Sequence, residues 1–433
     1  FVGNSFSAAG VYTNTITVGR AVGGTGCTIP ASVANAAAIC AAALNNVQGN
    51  KIDPLVLSYL QTNTAALGAS PTSFMLPSFK LPAQWKANLS VDYTADLGSM
   101  LGDGWRFGGD LLYGKTDSAA YYTDFRLTQV GTAPDGRPIY ADTFTNTANS
   151  DLAMRHTDRG KSLIAVARAS KSFDFGLDTG VSYTYSDIKS LSDMGTYASG
   201  GSTASGTYGA QPMVDPNQPA YGTSSYEVRD NWKFNIDYSH AFFGDYKTSF
   251  NLFGELRSGS PYSLTMNTTT SNSRSTLFGT TGASNRYLLY VPDVSSITAD
   301  SKVTYASTAV YEAFRDFVQA NGLKQGVIEK NTEKSPDYFK VDLHVEQEVP
   351  VPFLSSARFK VFGDVENLLN LINSDWGSYR TYAPLTSVVN VACAQQVGAS
   401  CAQYNYTAFT KPTLQPNAQL GVWRARLGVR FEF

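Results

Sequence analysis

Apolar and polar residues alternate along several long stretches of this chain, and this feature restricts its fold more than any other. From Asn231 to Ser239 apolar side chains occupy every second position, and the alternation resumes at Lys247 after a Gly-Asp turn. Because successive side chains of a strand point to opposite faces, the pattern predicts β-strands with one apolar and one polar face. The stretches exceed the usual strand length of about 5 to 6 residues in soluble proteins. They suit strands of about 9 to 11 residues that cross a membrane.

The alternation predicts nine such strands, which begin near Trp85, Trp105, Lys161, Leu177, Asn231, Lys247, Phe339, Phe359 and Trp423. The last strand is the sharpest, because aromatic residues stand at both ends of its apolar face, as they do in lipid-facing strands. The segment Lys161–Lys171 is strand-like, but its alternation does not show which face is which. Val11–Val18 is a weak candidate for a further strand.

Composition agrees with an apolar environment. Charged residues are 16% and aromatic residues 12% of the 433 residues, whereas ordinary soluble domains have roughly 25% charged residues. The net charge of -2, from 33 Lys+Arg and 35 Asp+Glu, provides no basic stripe for nucleic acid. The chain also lacks an uninterrupted apolar run of about 18 residues, which a spanning helix requires.

The connections between the predicted strands alternate between short and long. The short ones are Gly98–Gly104, Ser172–Phe175, Phe243–Tyr246 and Val349–Ser356, and the long ones are Thr116–Gly160, Ser190–Arg229, Ser263–Pro336 and about Leu371–Asn417. Outer-membrane barrels have this rhythm, with tight periplasmic turns and long outer loops. We therefore predict an all-β, antiparallel transmembrane β-barrel in a Gram-negative-type outer membrane.

Two regions follow from this pattern. Residues 1–84 form an outer loop region with local helices, and residues 85–433 hold the strands, the long extracellular loops and the short periplasmic turns. Nine is odd, whereas bacterial barrels have an even number of strands, so at least one more strand must precede Trp85. The chain is either a ten-stranded barrel with a poor first strand or the C-terminal part of a larger barrel.

The long connections contain helix signals. Asp53-Pro54 is an N-cap followed by proline at the first helical position. A second helix carries an apolar stripe that ends at a plausible C-cap, Asn321-Gly322. The stripe consists of Val310, Phe314, Phe317 and Val318.

The polar faces should line the lumen of a closed barrel. The lumen-facing candidates are Lys233, Glu255, Glu346, Glu348, Arg358 and Lys360. A turn at Val349–Ser356 would place Glu348 opposite Arg358, Glu346 opposite Lys360 and His344 opposite Phe362, and a register shifted by two residues is the alternative. The turn at Phe243–Tyr246 would place Lys233 opposite Glu255. These pairs either contact a plug or solute or only stabilise the wall, and the second interpretation is favoured because cross-strand pairs stabilise any sheet.

The four cysteines form two local pairs, Cys27 with Cys40 and Cys393 with Cys401. Four cysteines allow three connectivities, and closure within each pair is the least demanding. Disulfides would suit an oxidising compartment, and four free thiols in a reducing cytosol are the alternative.

No catalytic, metal or cofactor motif stands out. The three histidines are scattered, Gly23–Gly26 lacks the lysine of a phosphate-binding loop, and a G-x-S-x-G elbow is absent. His156 beside Asp151 and Asp158 is the best catalytic candidate, but a solvated polar loop is the favoured interpretation. Asp293 and Asp300 lack the spacing of a calcium loop. We therefore expect no enzymatic activity, no metal and no cofactor.

Several segments resemble the TonB-dependent outer-membrane receptors, and within them the Oar-like group with a carboxypeptidase-regulatory-like N-terminal domain. From about residue 77 to the C-terminus these are Phe79-Lys80-Leu81-Pro82, Asp135-Gly136-Arg137-Pro138-Ile139-Tyr140, Arg257-Ser258-Gly259-Ser260-Pro261-Tyr262, and Val365-Glu366-Asn367-Leu368-Leu369-Asn370 with Asp375-Trp376-Gly377. The last eight residues also resemble the assembly signal of outer-membrane barrels, carried by Arg426, Gly428, Phe431 and Phe433.

The resemblance implies a barrel of about 22 strands around a plug, with energised import of a solute. The implied partners are outer-membrane lipid, the barrel-assembly machinery, a plug domain, a TonB-type energy coupler and an unknown solute or surface partner. The chain has no recognisable plug or TonB box, so we expect it to be the C-terminal part of such a barrel. The rivals are a complete small barrel acting as a passive pore or an enzyme, and an adhesin-like surface barrel.

Overall fold

The computed structural model describes most of the chain. The described residues are 16, 18–21, 24–27, 29, 31–46, 49, 51–62, 71–98, 102–143, 149–191, 204–271, 273–351 and 357–433. None of the helices in these ranges has the length and apolarity needed to cross a membrane.

Nine long strands dominate the described part of the chain. They are β1 (Ala83–Ala95), β2 (Trp105–Asp124), β3 (Gly160–Phe173), β4 (Leu177–Ser190), β5 (Asp230–Phe243), β6 (Tyr246–Arg257), β7 (Tyr338–Pro350), β8 (Arg358–Glu366) and β9 (Arg424–Glu432). All nine coincide with the strands predicted from alternation. The prediction succeeded because a period of two persists along each of them.

The nine strands form one antiparallel sheet in chain order, each strand pairing with the next. Three shorter strands extend this sheet: Thr72–Met75, Asp151–Thr157 and Gly222–Thr223. Within the described residues, the outer edges of β1 and β9 have no partner strand. In a nine-stranded antiparallel series the first and last strands run in the same direction. Antiparallel closure of the sheet would therefore require an odd number of additional strands.

The four short connections of the sheet lie at one end, and the long ones lie at the other. The tightest turn, Gly244-Asp245, joins β5 to β6, and Gly244 has φ of 63°, in the left-handed region that glycine tolerates best. Residues 99–101 and 352–356 of two other short turns lie outside the described residues.

The long connections build a second folded layer, the cap, which we define as residues 258–337 and 380–410 with the hairpin of residues 127–142. Its central strands Pro261–Thr268 and Leu385–Val397 run parallel, and Ser400–Phe409 pairs antiparallel with the latter. The hairpin strands are Leu127–Thr132 and Pro138–Asp142. Shorter cap strands are Thr270–Ser271, Arg274–Ser275, Tyr287–Leu288, Tyr290–Val291, Val303–Tyr305, Gly326–Val327 and Glu333–Lys334; Arg380–Thr381 pairs with Gln415–Pro416.

The cap has its own hydrophobic core, drawn from segments far apart in sequence. Helix Thr308–Ala320 contributes Phe314 and Val318, both fully buried or nearly so. Ser307 Oγ accepts a hydrogen bond from the Val310 amide at its start, and Asn321 caps its end. The predicted helix and its apolar stripe are confirmed. Tyr287, Tyr404 and Tyr406 complete the centre of this core.

The N-terminal region forms a small separate cluster. It comprises helices Ala36–Asn45 and Pro54–Thr62 and the hairpin Val18–Ala21 and Gly24–Cys27. Asp53 Oδ1 accepts the Leu55 amide at 2.8 Å, so the predicted N-cap is confirmed. Most of the weak strand candidate Val11–Val18 lies outside the described residues, and Val18 begins a strand that pairs with Gly24–Cys27. Two further helices, Ala204–Ala210 and Leu368–Ile372, lie in long connections.

Both local cysteine pairs are joined in the structure. Cys27 binds Cys40 with an S–S distance of 2.00 Å, and Cys393 binds Cys401 with an S–S distance of 2.07 Å. The first bridge lies in the N-terminal cluster, and the second closes the tip of the cap hairpin Leu385–Val397/Ser400–Phe409.

Candidate functional site

The two faces of the nine-stranded sheet are exposed in the opposite way to a soluble protein. On the apolar face, Trp85 is 74% exposed and Leu427 is 87% exposed. On the polar face, the side chains of Glu346 and Glu348 are only 16% and 13% exposed. These two carboxylates are therefore sheltered within the polar face, although Asp92 and Arg426 of that face are 73% and 74% exposed, while large apolar side chains of the other face are exposed.

One continuous row of polar residues crosses seven strands of the polar face. In register order it runs Asp92, Gly108, Arg168, Ser182, Lys233, Glu255 and Lys340. We call it the first polar row. Lys233 lies opposite Glu255, as predicted, with Nζ 3.9 Å from Oε1.

Arg168 is the centre of this row, and the sequence did not single it out. Its guanidinium donates to Asp92 Oδ1 at 2.6 Å and to Asp110 Oδ2, so it connects β3 with β1 and β2. The intervening Gly108 leaves the space: a Cβ there would lie 2.3 Å from Arg168 Nε. The ambiguous strand Lys161–Lys171 is thereby oriented, with Arg168 on the polar face. In the sequence, the apolar face of this strand is indicated by alternating apolar residues, which are Leu163, Ala165, Ala167 and Ala169.

A second polar row crosses six strands: Asp178, Asp237, Asn251, His344, Asp364 and Arg426. Asp364 lies between two donors, with Oδ1 2.6 Å from His344 Nδ1 and Oδ2 2.8 Å from Arg426 Nη2. Asn251 donates to Asp237 in the same row. The row therefore joins β7, β8 and β9 through one carboxylate.

The predicted register of β7 and β8 is wrong by two residues. Glu348 lies opposite Lys360, Glu346 opposite Phe362 and His344 opposite Asp364, while Arg358 lies opposite Pro350. The physical reason is the position of the turn: β7 continues through Pro350, one residue past the assumed turn start, and this moves each partner by two. A two-residue shift keeps every side chain on its face.

The predicted charge pairs persist as diagonal contacts despite this shift. Arg358 Nη1 lies 2.7 Å from Glu348 Oε2, and Lys360 Nζ lies 3.6 Å from Glu346 Oε1. Lys360 also approaches Glu432 Oε2 of β9 at 3.2 Å. All six lumen-facing candidates of the sequence therefore lie on the polar face.

Two recesses of about 280 and 310 Å³ open along the first polar row and share Arg168. The first is lined by Asp92, Arg106, Gly108 and Ser170, and the second by Ser170, Ser182, Lys233, Asn235 and Phe253. Their lining offers cationic, hydroxyl and amide groups that could hold a polar or anionic group.

The catalytic candidate around His156 is not assembled. Asp151 accepts a hydrogen bond from Arg126 Nη2 at 3.0 Å and from the Thr72 amide at 2.9 Å. His156 lies on strand Asp151–Thr157, opposite Ala120. Within the ranges that the structure covers, no group of three or more His, Cys, Asp or Glu residues could hold a metal ion.

Comparison with known proteins identifies the architecture. The family model described as "Outer membrane beta barrel domain" matches residues 109–387, well over half of the chain. The chain belongs to this family. It is an outer-membrane β-barrel protein, and the nine-stranded sheet is part of the barrel wall. Its apolar face is the lipid-facing side, and its polar rows face the lumen.

A similar solved structure is that of BamA from Haemophilus ducreyi lacking POTRA domains 1–3. It shares 12% sequence identity, with a TM-score of 0.18, over 80% of this chain and 62% of that chain. The chain therefore spans less than two thirds of the BamA chain. No curated protein matches the sequence.

The lipid-facing side of the barrel carries large aromatic side chains, among them Trp85, Tyr113, Tyr183 and Trp232. The Tyr183 and Trp232 ring centroids are 4.5 Å apart. On β5, Trp232 and Phe242 are ten positions apart on the same face. At about 3.3 Å per residue and a tilt of about 45°, they are separated by about 23 Å across the membrane, close to the apolar band of about 25 Å of such barrels.

The residues of the predicted assembly signal lie on both faces of β9. Arg426 lies on the lumen side, and Gly428 lies beneath the Phe362 ring, where a Cβ would be 2.3 Å from Phe362 Cζ. Phe431 and Phe433 face lipid at the periplasmic end, and Phe433 is 97% exposed.

Proposed function

We propose that this protein is the C-terminal part of the barrel of an outer-membrane receptor for energised, TonB-type uptake of a solute. The observation that carries the proposal is the cap, because three long outer connections share one hydrophobic core instead of remaining separate loops. Such a layer supplies a fixed recognition surface at the outer end of the barrel. A passive pore has no need of one.

Within the described residues, the outer edges of β1 and β9 are unpaired, and this supports a larger barrel. Unpaired backbone groups are too costly in hydrocarbon, so both edges must pair with further strands. Because β1 and β9 run in the same direction, an odd number of strands must lie between them. A barrel of about 22 strands satisfies this condition and has a lumen wide enough for a plug.

The two polar rows are the proposed contact surface for the plug or the solute. Their ion pairs cross strands and hold charged groups on the lumen side, where water or a folded insert can meet them. The recesses beside Arg168 and Lys233 would receive polar groups of that insert. The proposed role is binding and gating, without a catalytic step.

The resemblance of the N-L-L-N segment supports the TonB-type assignment. Asn367 Nδ2 donates to the Gly377 carbonyl, and Asn370 Nδ2 donates to the carbonyls of Ser374 and Trp376, each at 2.9 Å. The motif thus closes a compact turn at the outer end of β8. We also propose that the barrel-assembly machinery recognises the exposed Phe431 and Phe433 on β9 and just after it.

The experiment compares cells that carry the gene for the full-length protein with cells from which that gene has been deleted. Mass spectrometry follows which solutes disappear from a defined medium, before and after a protonophore is added. For a receptor, we expect selective depletion that stops with the protonophore and with loss of the inner-membrane coupler. Depletion that continues unchanged would indicate a passive pore, and the absence of depletion together with cell attachment would indicate an adhesin.

A further inference from the structure

Three lysines stand side by side on the lipid-facing side of the barrel. Lys161 on β3 lies directly opposite Lys115 on β2 and directly opposite Lys189 on β4. They follow the alternation of Tyr113, Leu163 and other lipid-facing residues, and we call them the lysine row. Neither polar row includes them, because they lie on the opposite face of the sheet.

The lysine row lies at the outer edge of the apolar band. Lys115 is two residues beyond Tyr113 on β2, and it lies directly opposite Trp85 on β1. Lys161 is likewise two residues beyond Leu163, which is exposed on the lipid-facing side. At about 3.3 Å per residue and a tilt of about 45°, two positions are about 5 Å along the membrane normal, and the length of the lysine side chain then places the ammonium groups in the headgroup layer.

The row is electrostatically unfavourable by itself. Side chains directly opposite each other have Cβ atoms about 5 Å apart, and like charges in such positions destabilise a sheet. Among the ion pairs of the described residues, none includes Lys115, Lys161 or Lys189. On the same face Asp187 is paired with Arg229, 3.6 Å away, and Asp117 lies further outward than Lys115.

The three lysines differ in exposure and in hydrogen bonding. Lys189 Nζ donates to Thr223 Oγ1 at 2.7 Å, and its side chain is half-buried. Lys115 and Lys161 are exposed and can turn toward a headgroup. Below them, Leu111, Tyr113 and Leu163 present exposed apolar surface on the same face. A cationic site thus continues directly into the lipid-facing surface.

We propose that the lysine row binds the phosphate groups of a phosphorylated glycolipid in the outer leaflet. A phosphate with about two negative charges would neutralise the adjacent ammonium groups, and lysine is a suitable phosphate partner. The acyl chains would lie against the apolar residues below. Continuity with the lipid-facing surface selects a lipid, since a soluble anion would gain nothing from that surface.

The test measures lipid binding to the full-length protein in detergent by native mass spectrometry. The probes are bisphosphorylated lipid A, its dephosphorylated form and inorganic phosphate. We expect the bisphosphorylated lipid to bind and the dephosphorylated lipid to bind at least tenfold more weakly. Inorganic phosphate should not displace the bound lipid at equal concentration.

The variants separate charge from folding. Lys115→Gln with Lys161→Gln should weaken lipid A binding by about 20-fold or more, and Lys161→Gln alone by about fivefold, since each lysine contributes a similar electrostatic factor. Lys115→Arg with Lys161→Arg should retain binding. The matched control, Lys324→Gln with Lys411→Gln, removes two exposed lysines of the long outer connections and should change nothing.

Two results would overturn the proposal. One is equal lipid A binding by the Lys115→Gln/Lys161→Gln variant and the unmodified protein, when heat-modifiable gel migration shows that both are folded. The other is complete displacement of lipid A by an equal concentration of inorganic phosphate, which would make the row a site for free phosphate.

Discussion

Glu348 on β7 lies directly opposite Lys360 on β8, although its carboxylate makes its shortest ion pair with Arg358 on the diagonal. The pairing predicts which cysteines can be joined. In the full-length protein, Glu348→Cys with Lys360→Cys should form a disulfide readily, because directly opposite positions have the required Cβ separation. Glu346→Cys with Lys360→Cys, a diagonal pair, should cross-link much more slowly. Gel mobility without reductant measures both.

Faster cross-linking of the 346/360 pair would restore the register that the sequence suggested. The comparison is internally matched, because both pairs share position 360 and both remove one glutamate. Lys233→Cys with Glu255→Cys serves as a positive control, since these residues are directly opposite across the two-residue turn.

The short turn between β5 and β6 restricts their register more than the longer connection restricts that of β7 and β8. Gly244-Asp245 has a glycine in the left-handed region, so it permits few alignments. The pairing of Lys233 with Glu255 also depends on a bulge between the pairs Ala241/Lys247 and Phe243/Tyr246, which the alternation does not show. The connection after Pro350 lacks glycine, and its apolar residues continue the strand pattern. Alternation fixes the face of each residue, but it cannot distinguish registers that differ by two.

Arg168 should stabilise the wall through both of its carboxylate partners. Arg168→Met leaves Asp92 and Asp110 without a cation, and we expect a lower midpoint in heat-modifiable gel migration. Adding Asp110→Asn should recover part of the loss, because it removes the less exposed of the two carboxylates. Arg106→Met is the control: Arg106 lines the same recess and forms no ion pair within the described residues. Equal effects of both single variants would contradict this role.

The polar rows could be predicted only in part. Lys233, Glu255 and the charged residues near the β7–β8 turn were recognisable because they alternate with clear apolar partners. Arg168 was missed because alanines replace large apolar residues on its strand, which weakens the contrast between faces. The cap was beyond prediction, since strand Pro261–Thr268 pairs with Leu385–Val397 across more than one hundred residues and neither shows a long alternation.

The cap should unfold without the barrel when its core is disrupted. Phe314 is completely buried, so Phe314→Ala should lower cap stability by about 3 to 5 kcal/mol. Hydrogen exchange should increase in the strands Pro261–Thr268 and Leu385–Val397, while heat-modifiable migration of the barrel is retained. Phe317→Ala, at a half-buried position of the same helix, is the control and should have a smaller effect. Loss of barrel migration in the first variant would show that the two layers fold as one unit.

The Cys393–Cys401 bridge should protect the tip of its hairpin. Replacing both cysteines with alanine opens a short loop, and the chain-entropy model gives a loss of about 2.5 kcal/mol. Proteolysis between Gln395 and Gly398 should become faster in the full-length protein. Cys27→Ala with Cys40→Ala, which opens the bridge of the N-terminal cluster, should leave the rate at this site unchanged. Unchanged cleavage after loss of the first bridge would mean that cap packing alone holds the tip.

Acid should loosen one outer segment of the cap through Asp300. Burial favours the neutral carboxyl, but hydrogen bonds from the Lys302 amide and the Tyr290 hydroxyl outweigh it and lower the pKa of Asp300. An acid with a lowered folded pKa stabilises the fold above its ordinary value of 3.8, and this contribution is lost as pH falls through the folded pKa. The protection of the Asp293 and Lys302 amides from hydrogen exchange, corrected for intrinsic rates, should therefore decrease when the pH is lowered below about 4.

The variant Asp300→Asn tests this prediction. At pH 6 its protection of the two amides should be about tenfold lower, the effect of one hydrogen bond to a charged group, and it should be nearly independent of pH. The control is Asp316→Asn, on an exposed part of helix Thr308–Ala320, and it should keep the pH dependence of amide protection. If this control loses the pH dependence, the effect belongs to a carboxylate other than Asp300.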